Sequence, residues 1–174
     1  MLEGLGVESV LVTRAAHLDE LDGLILPGGE STTIARLLTT SGVRAALEIS
    51  MRDGLSMFGT CAGLILLSRE VLDGRNDQWG FGMLDVAVRR NGYGRQSASF
   101  EASVEVQGIG EVPGVFIRAP KIEAWSQRVE VLATHDHGDG AHPVLVREGR
   151  VWGCSFHPEL TSDDRVHRLF VESL

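Results

Sequence analysis

The stretch Ser56–Leu67, SMFGTCAGLILL, places a cysteine between two apolar runs, with one glycine two residues before it and another two residues after it. This pattern predicts a strand, a sharp turn and a helix. A residue on such a turn has a strained backbone that exposes its side chain, and small neighbours avoid clashes. The helix N-terminus favours a thiolate, and the amide of Ala62 can face a developing oxyanion. Cys61 is therefore a candidate nucleophile, although a cysteine that is only a small buried hydrophobic residue fits the same stretch.

The composition of the chain narrows its class. Its 174 residues, 43% of them hydrophobic and 23% charged, predict one globular domain over residues 1–174. The net charge of -8 argues against a nucleic acid or an anionic membrane as partner. No apolar run is long enough to span a bilayer, and the first residues lack the pattern of a secretory signal. Two cysteines far apart in sequence favour a reducing cytoplasm.

The order of apolar segments predicts an α/β fold. In the first half we expect strands over 9–13, 23–26 and 55–58. We also expect a helix that Ser31 caps and that ends near Gly42, and further helices over 43–52 and 62–71. From residue 81 onward, short strands predominate and several alternate polar with apolar residues. A final helix is expected to begin at Ser162. The chain therefore predicts a mixed, mostly parallel sheet with helices on both faces and an added antiparallel portion.

The C-terminal stretch GCSFHPEL offers a base for the cysteine. A cysteine nucleophile needs a base to take its proton, and the base needs a third group to orient it. Because Pro158 favours an extended backbone before it, the side chains of His157 and Glu159 are expected to point the same way. Taken alone, the pair is more simply a strand-end histidine beside a surface glutamate, but together with Cys61 it predicts a triad.

The stretch Pro27–Thr33, PGGESTT, is a glycine pair between a predicted strand and a helix. Free amides at such a turn bind phosphate or an oxyanion. The carboxylate of Glu30 opposes phosphate and suits the ammonium group of an amino acid. A plain turn explains the glycines equally well.

Taken together, these motifs resemble the class I glutamine amidotransferase family, whose catalytic triad is cysteine, histidine and glutamate. Within it, four segments resemble the glutaminase subunits of pyridoxal 5'-phosphate synthase over nearly the whole chain: Pro27–Thr33, Arg90–Gln96 (RNGYGRQ), Phe116–Pro120 (FIRAP) and Cys154–Leu160 (CSFHPEL). The resemblance implies a triad of Cys61, His157 and Glu159, oxyanion amides at Gly28, Gly29 and Ala62, and a glutamine site formed by Gly29, Glu30, Ser31, Arg90, Ile117 and Arg118.

The resemblance also implies a flavodoxin-like fold, a reaction and a partner. Cys61 would attack the side-chain amide of L-glutamine, and hydrolysis of the thioester would release glutamate. The ammonia would pass directly to a separate lyase subunit that makes pyridoxal 5'-phosphate. Neither a cofactor nor a metal is implied for this chain, and His135, His137 and His142 read better as part of a solvated loop than as zinc ligands.

The chain departs from the family pattern at its start. Family members begin with an apolar strand, a Gln-Gly turn and a helix, whereas Met1–Gly6 corresponds to a position inside that helix. About 15 to 20 residues, the length of a strand and most of a helix, are therefore expected to be absent.

Two other functions fit the sequence. A cysteine hydrolase or thiol-stress protein of the related flavodoxin-like group also places cysteine at such a turn, but it does not need Glu159. A non-catalytic regulatory subunit would bind glutamine or the lyase without hydrolysis. The intact triad argues against the second alternative, and the departure at the start favours it.

Overall fold

The computed structural model describes residues 1–74, 78–93 and 99–174. In these residues the strands are β1 Gly23–Leu26, β2 Ser56–Thr60, β3 Ser68–Val71, β4 Leu84–Arg89, β5 Ser99–Val106, β6 Gly110–Ile117, β7 Lys121–Trp125, β8 Glu130–Asp136, β9 Ala141–Glu148 and β10 Val151–Cys154. The α-helices are α1 Ser31–Thr40, α2 Val43–Arg52, α3 Ala62–Leu67 and α4 Arg165–Val171. Short 3-10 helices cover Leu2–Leu5, Ala15–Leu18 and Pro158–Leu160.

The main sheet has seven strands in the described part of the chain, in the order β1-β2-β10-β9-β8-β5-β6. The β1–β2 and β2–β10 pairs are parallel, and the four remaining pairs are antiparallel. A mixed sheet with an added antiparallel portion is thus confirmed, but the expectation that the sheet is mostly parallel is wrong. Short connections join β5 to β6, β8 to β9 and β9 to β10, and connections of that length only link antiparallel neighbours.

The core lies on both faces of this sheet. Met57 and Phe58 are neighbours on β2 and both are fully buried, yet they belong to two separate hydrophobic clusters because successive side chains of a strand point to opposite faces. Helices α1, α2 and α3 pack on the Met57 side, and α4 packs on the Phe58 side. β2 is therefore covered from both sides, and the site residue that follows it is held on a rigid element.

Three predicted elements differ from the structure. The final helix begins at Arg165, with Asp164 as its N-cap, rather than at Ser162. The β-branched run at 9–13 has no regular structure, and Leu11 is 83% exposed. Strand propensity alone does not make a strand, because a strand also needs a neighbour to pair with. The helix predicted over 62–71 ends at Leu67, where the Ser68 hydroxyl donates to the Ile65 carbonyl at 2.7 Å and the chain then pairs with β4 as β3.

No helix in the described ranges is both long enough and apolar enough to cross a membrane.

Candidate active site

Cys61 occupies the single residue between β2 and α3. Its φ of 50° and ψ of -102° lie outside the ordinary regions for a residue with a side chain, as predicted for a strained strand-to-helix turn. The side chain is only 6% exposed, however, and its sulfur lies 3.9 Å from the carbonyl oxygen of Ile117. The turn therefore presents the thiol to an enclosed space, and the prediction that it stands in the open is wrong.

Gly63 lets this turn pack against the neighbouring strand. A Cβ at position 63 would lie 2.0 Å from the carbonyl oxygen of Leu26 in β1. Backbone at that distance cannot give way as a flexible side chain does. The small residue after Cys61 is therefore required by the approach of α3 to the sheet.

The pairing of β2 with β10 brings the two halves of the predicted triad together. Thr60 and Cys154 are partners at the ends of these parallel strands, and the Cys61 amide donates to the Cys154 carbonyl at 2.8 Å. The chain then runs on to His157, whose amide donates to the carbonyl of Val115 in β6 at 2.8 Å. The histidine is thus fixed by its own backbone as well as by its ring.

The His157 ring and the Glu159 carboxylate form a hydrogen bond, with 2.8 Å between Nδ1 and Oε1. The sequence predicted this contact, but for a different geometric reason. The backbone does not continue as an extended strand, because Pro158–Leu160 is a 3-10 helix that begins directly after His157. A tight turn, rather than strand alternation, therefore places the carboxylate beside the ring.

The charges in this group are strongly perturbed. The pKa of His157 is raised to about 9, first by its interaction with the Cys61 side chain and then by the hydrogen bond with Glu159. Burial pushes the pKa of Glu159 upward, but the hydrogen bonds from His157 and from a backbone amide outweigh it and leave that pKa below its ordinary value. At neutral pH the His157 ring is therefore protonated, next to the Cys61 side chain and the Glu159 carboxylate.

The turn after β1 contacts the same histidine. A Cβ at Gly28 would lie 2.3 Å from Cε1 of the His157 ring, so the glycine backbone packs directly on the ring face. Gly29 follows with a φ of 144°, and Ala62, at the start of α3, is 1% exposed. Gly28 is therefore next to His157 and Ala62 is next to Cys61, and the oxyanion site that the sequence predicts at these amides stays a prediction.

Four hydrogen-bonded polar residues lie beside this turn, and we call them the polar cluster: Glu30, Ser31, Gln78 and Arg90. The Arg90 guanidinium donates to Glu30 Oε1 at 3.3 Å and to Gln78 Oε1 at 3.2 Å. The Gln78 amide in turn donates to the Ser31 hydroxyl at 3.3 Å. Gln78 was missed by the sequence analysis, since it lies in a polar stretch with no recognisable pattern.

Glu30 has a structural role as well. It is the N-cap of α1, and its carboxylate accepts from the amides of Thr32 at 3.2 Å and Thr33 at 2.7 Å. The prediction that Ser31 caps this helix is wrong, because Ser31 is its first helical residue. The hydroxyl of Thr32, and then that of Thr33, lower the pKa of Glu30 to about 2, so the carboxylate stays charged across the working pH range.

Two predicted glutamine-binding residues lie at the end of β6: Ile117 is its last residue and Arg118 is the next. Ile117 is 39% exposed, and its carbonyl faces the Cys61 sulfur. Arg118 is exposed and has a positive φ of 46°, which is unusual for a residue with a side chain. Of the segment Arg90–Gln96, residues 94–96 lie outside the described ranges.

The prediction that His135, His137 and His142 belong to a solvated loop is wrong for two of them, because His135 lies in β8 and His142 in β9. His137, in the connection between these strands, stacks on Phe100 with 4.4 Å between ring centroids. The His135 ring stacks on Phe116 with 5.5 Å between centroids, and His142 Nδ1 lies 3.2 Å from the Ile122 carbonyl oxygen. Within residues 1–74, 78–93 and 99–174, no group of three or more His, Cys, Asp or Glu residues is arranged to hold a metal ion.

A family model described as the SNO glutamine amidotransferase family matches residues 1–174. This chain belongs to that family. The Streptomyces coelicolor protein named pyridoxal 5'-phosphate synthase subunit PdxT is 53% identical over 163 residues, which cover 92% of this chain and 79% of that protein. The Thermotoga neapolitana protein of the same name is 49% identical over 173 residues, which cover 98% of this chain and 89% of that protein.

Solved structures confirm the predicted glutamine amidotransferase fold. A crystal structure described as a glutamine amidotransferase matches with a TM-score of 0.91 and 47% identity, and the match covers 99% of this chain and 89% of the other. A Thermoplasma acidophilum crystal structure, described as part of a GMP synthase, matches at 19% identity with a TM-score of 0.67, over 99% of this chain and 83% of the other. The second likeness concerns the fold alone.

Proposed function

We propose that this chain is the glutaminase subunit of a pyridoxal 5'-phosphate synthase and that it hydrolyses L-glutamine to glutamate and ammonia. Its family and the names of its relatives support the reaction class and the complex. The observation that carries the proposal is the contiguous arrangement of a cysteine on a strained turn, a histidine that shares a proton with it, and a carboxylate bonded to that histidine. This arrangement suits acyl transfer with a thioester intermediate.

The mechanism follows from where the protons lie. Cys61, as a thiolate beside the His157 imidazolium, attacks the side-chain carbonyl carbon of glutamine. The amides of Ala62 and of the Gly28–Gly29 turn stabilise the oxyanion. His157 gives its proton to the leaving nitrogen, the C–N bond breaks and ammonia departs, which leaves a thioester. His157 then takes a proton from water, the hydroxide attacks the thioester, and glutamate leaves as the thiolate re-forms.

The polar cluster and β6 are the proposed glutamine site. The permanent negative charge of Glu30 suits the α-ammonium group, and Arg90 and Arg118 suit the α-carboxylate. The backbone at Gly29 and Ile117 and the hydroxyl of Ser31 complete the proposed contacts. The Ile117 carbonyl, at 3.9 Å from the sulfur, joins this set of residues to the nucleophile.

The proposed partner is the lyase subunit of the same synthase. Free ammonia is mostly protonated at neutral pH and is then a poor nucleophile, so it has to pass directly to the next active site. We further propose that residues 1–174 form one glutaminase domain that works in the cytoplasm. Both cysteines are free, which fits a reducing compartment.

Glutamate release from glutamine, measured with and without the lyase subunit, tests the proposal. We expect turnover in the complex, and we expect Cys61→Ala to abolish it. Cys154→Ala is the matched control because it removes the other thiol, and it should keep most of the activity. Release that persists in Cys61→Ala would remove the proposed nucleophile, and full activity in Glu159→Ala would favour the alternative thiol-hydrolase class.

A further inference from the structure

His167 is a buried histidine that the proposed mechanism does not use. It lies in α4, is 3% exposed and packs edge-on against the Phe58 ring, with 5.7 Å between ring centroids. Its Nδ1 atom is buried and has no hydrogen-bond partner among the described residues. Leaving a buried ring nitrogen without a hydrogen bond costs free energy, so the absence of a partner among these residues calls for an explanation.

Glu159 has one carboxylate oxygen in the same condition. Oε1 is bonded to His157, whereas Oε2 is buried and, within the described ranges, accepts no hydrogen bond. Glu159 and His167 line the same cavity, which has a volume of about 1050 Å³. The charges of the two residues also interact, because each contributes to the pKa of the other.

The protonation of His167 fits a donor. Burial lowers the pKa of His167 below its ordinary value, and the nearby Glu159 charge only partly opposes this effect. The ring is therefore neutral at pH 7, and a neutral imidazole carries a proton on one nitrogen. With its proton on Nδ1, His167 would be a donor for Glu159 Oε2, the buried acceptor that has no donor among the described residues.

We propose that His167 is a positioning residue for the glutaminase reaction, and that its Nδ1–H is linked to Glu159 Oε2 through one water molecule. This inference rests on the proposed function. The link fixes the plane of the carboxylate, so that Oε1 stays on His157 Nδ1 while the opposite ring nitrogen exchanges a proton with Cys61 and the substrate. His167 itself touches neither the sulfur nor glutamine.

Two substitutions separate positioning from packing. His167→Asn loses the ring but keeps a polar group at the place of Nδ1, whereas His167→Phe keeps a ring against Phe58 and loses the polar group. If His167 positions Glu159, the asparagine variant keeps activity within about twofold and the phenylalanine variant loses about tenfold in kcat with KM unchanged. If His167 only packs, the order is reversed.

The experiment measures kcat and KM for glutamine in the complex with the lyase subunit, with the melting temperature of each variant as a control for folding. His167→Gln is the matched third variant, because its amide reaches the place of Nε2 rather than Nδ1. It should behave like His167→Phe. Equal activity in the asparagine and glutamine variants would overturn the inference, as would full activity in His167→Phe.

An NMR readout on the chain alone keeps this test separate from the proposed function. The His157 Nδ1 proton, bonded to Glu159, gives a resonance that persists only while the hydrogen bond is ordered. We expect His167→Asn to keep that resonance and His167→Phe to broaden or lose it. Absence of turnover in the wild type would overturn the proposed function, whereas an unchanged resonance in His167→Phe would overturn this inference alone.

Discussion

The two halves of the candidate site hold their charges in opposite ways. His157 and Glu159 have side chains that are 11% and 32% exposed. Their pKa values depend on one another, and the pKa of His157 depends on Cys61 as well. In the polar cluster, the Glu30 side chain is 50% exposed, and hydrogen bonds from α1 lower its pKa to about 2. The first half is suited to moving a proton, and the second half to presenting a fixed charge.

The turn between β1 and α1 is where these halves meet. Gly28 packs on the His157 ring, and Glu30, two residues later, belongs to the polar cluster. Because neighbouring residues serve different halves, substitutions on either side of this turn can separate turnover from binding. If the division is real, one set of changes lowers kcat and the other raises KM.

The largest effect is expected for a substitution at Gly63, because it disturbs the turn on which the whole candidate site depends. Gly63→Ala places a Cβ 2.0 Å from the Leu26 carbonyl oxygen, so the turn and β1 cannot both keep their positions. We expect the free energy of unfolding to fall by about 3 kcal/mol, as for severe overpacking in a core. Chemical denaturation measures it. Gly4→Ala is the control, since nothing lies within 4 Å of a Cβ there, and its stability should stay within about 0.5 kcal/mol of wild type.

The next effect should fall on the proton-transfer half alone. In Gly28→Ala the new methyl group displaces the His157 ring, and a shift of that size lowers kcat by about a hundredfold. Because the polar cluster is not touched, KM for glutamine should change by less than about threefold. Steady-state kinetics in the complex measures both constants. A rise in KM as large as the fall in kcat would argue against two separable halves.

The coupling inside the proton-transfer half can be measured without turnover. Since Cys61 is the largest cause of the raised pKa of His157 and Glu159 the second, Cys61→Ala should lower it from about 9 towards 6.5 further than Glu159→Gln does. An NMR titration of the histidine ring reports this order. The reverse order would mean that the carboxylate, and not the thiol, governs the imidazolium.

The same raised pKa makes stability depend on pH. His157 has a higher pKa in the folded state than its ordinary 6.5, so its interactions stabilise the fold fully below pH 6.5, and this contribution is lost as the pH rises through about 9. We expect the free energy of unfolding to fall over this pH range in the wild type and to fall less in His157→Gln. Denaturation curves at both ends of the range test it.

The smallest effect should belong to the polar cluster. Gln78→Leu removes the two hydrogen bonds that join Arg90 to Ser31. A net loss of about 1 kcal/mol for the two together raises KM for glutamine about fivefold. The value of kcat should not change. Gln107→Leu, at an exposed position outside the site, is the matched control. A fall in kcat in Gln78→Leu would mean that Gln78 affects proton transfer, and it would contradict the division into two halves.

The sequence predicted the parts of the site that have a local cause. Cys61 lies on the turn because an apolar strand, two glycines and an apolar helix leave it no other place. His157 and Glu159 were paired correctly although their local backbone was not, since a short turn and an extended strand both bring residues i and i+2 together here. The family resemblance supplied Arg90 and Arg118, which their surroundings in the sequence do not distinguish from surface arginines. Arg90 belongs to the polar cluster, and the binding role of both residues stays a prediction.

What the sequence missed depends on contacts between distant segments. Gln78 gains its position only because β4 brings Arg90 near the start of α1. The strand at Ser68–Val71 exists because β4 lies beside it, and the run at 9–13 stays irregular because none of the described strands pairs with it. The proportion of parallel pairs likewise follows from connection lengths, which short apolar runs do not reveal.

The join between β2 and β10 has a consequence for when this protein acquires its chemistry. Cys61 and His157 are roughly a hundred residues apart in the chain, and such distant pairings form late in folding. During synthesis Cys61 is made long before His157, so the growing chain carries a cysteine that has no base beside it. A chain that ends before residue 157 has Cys61 but lacks the histidine, so activity shows that the C-terminal segment has been made and has paired with β2.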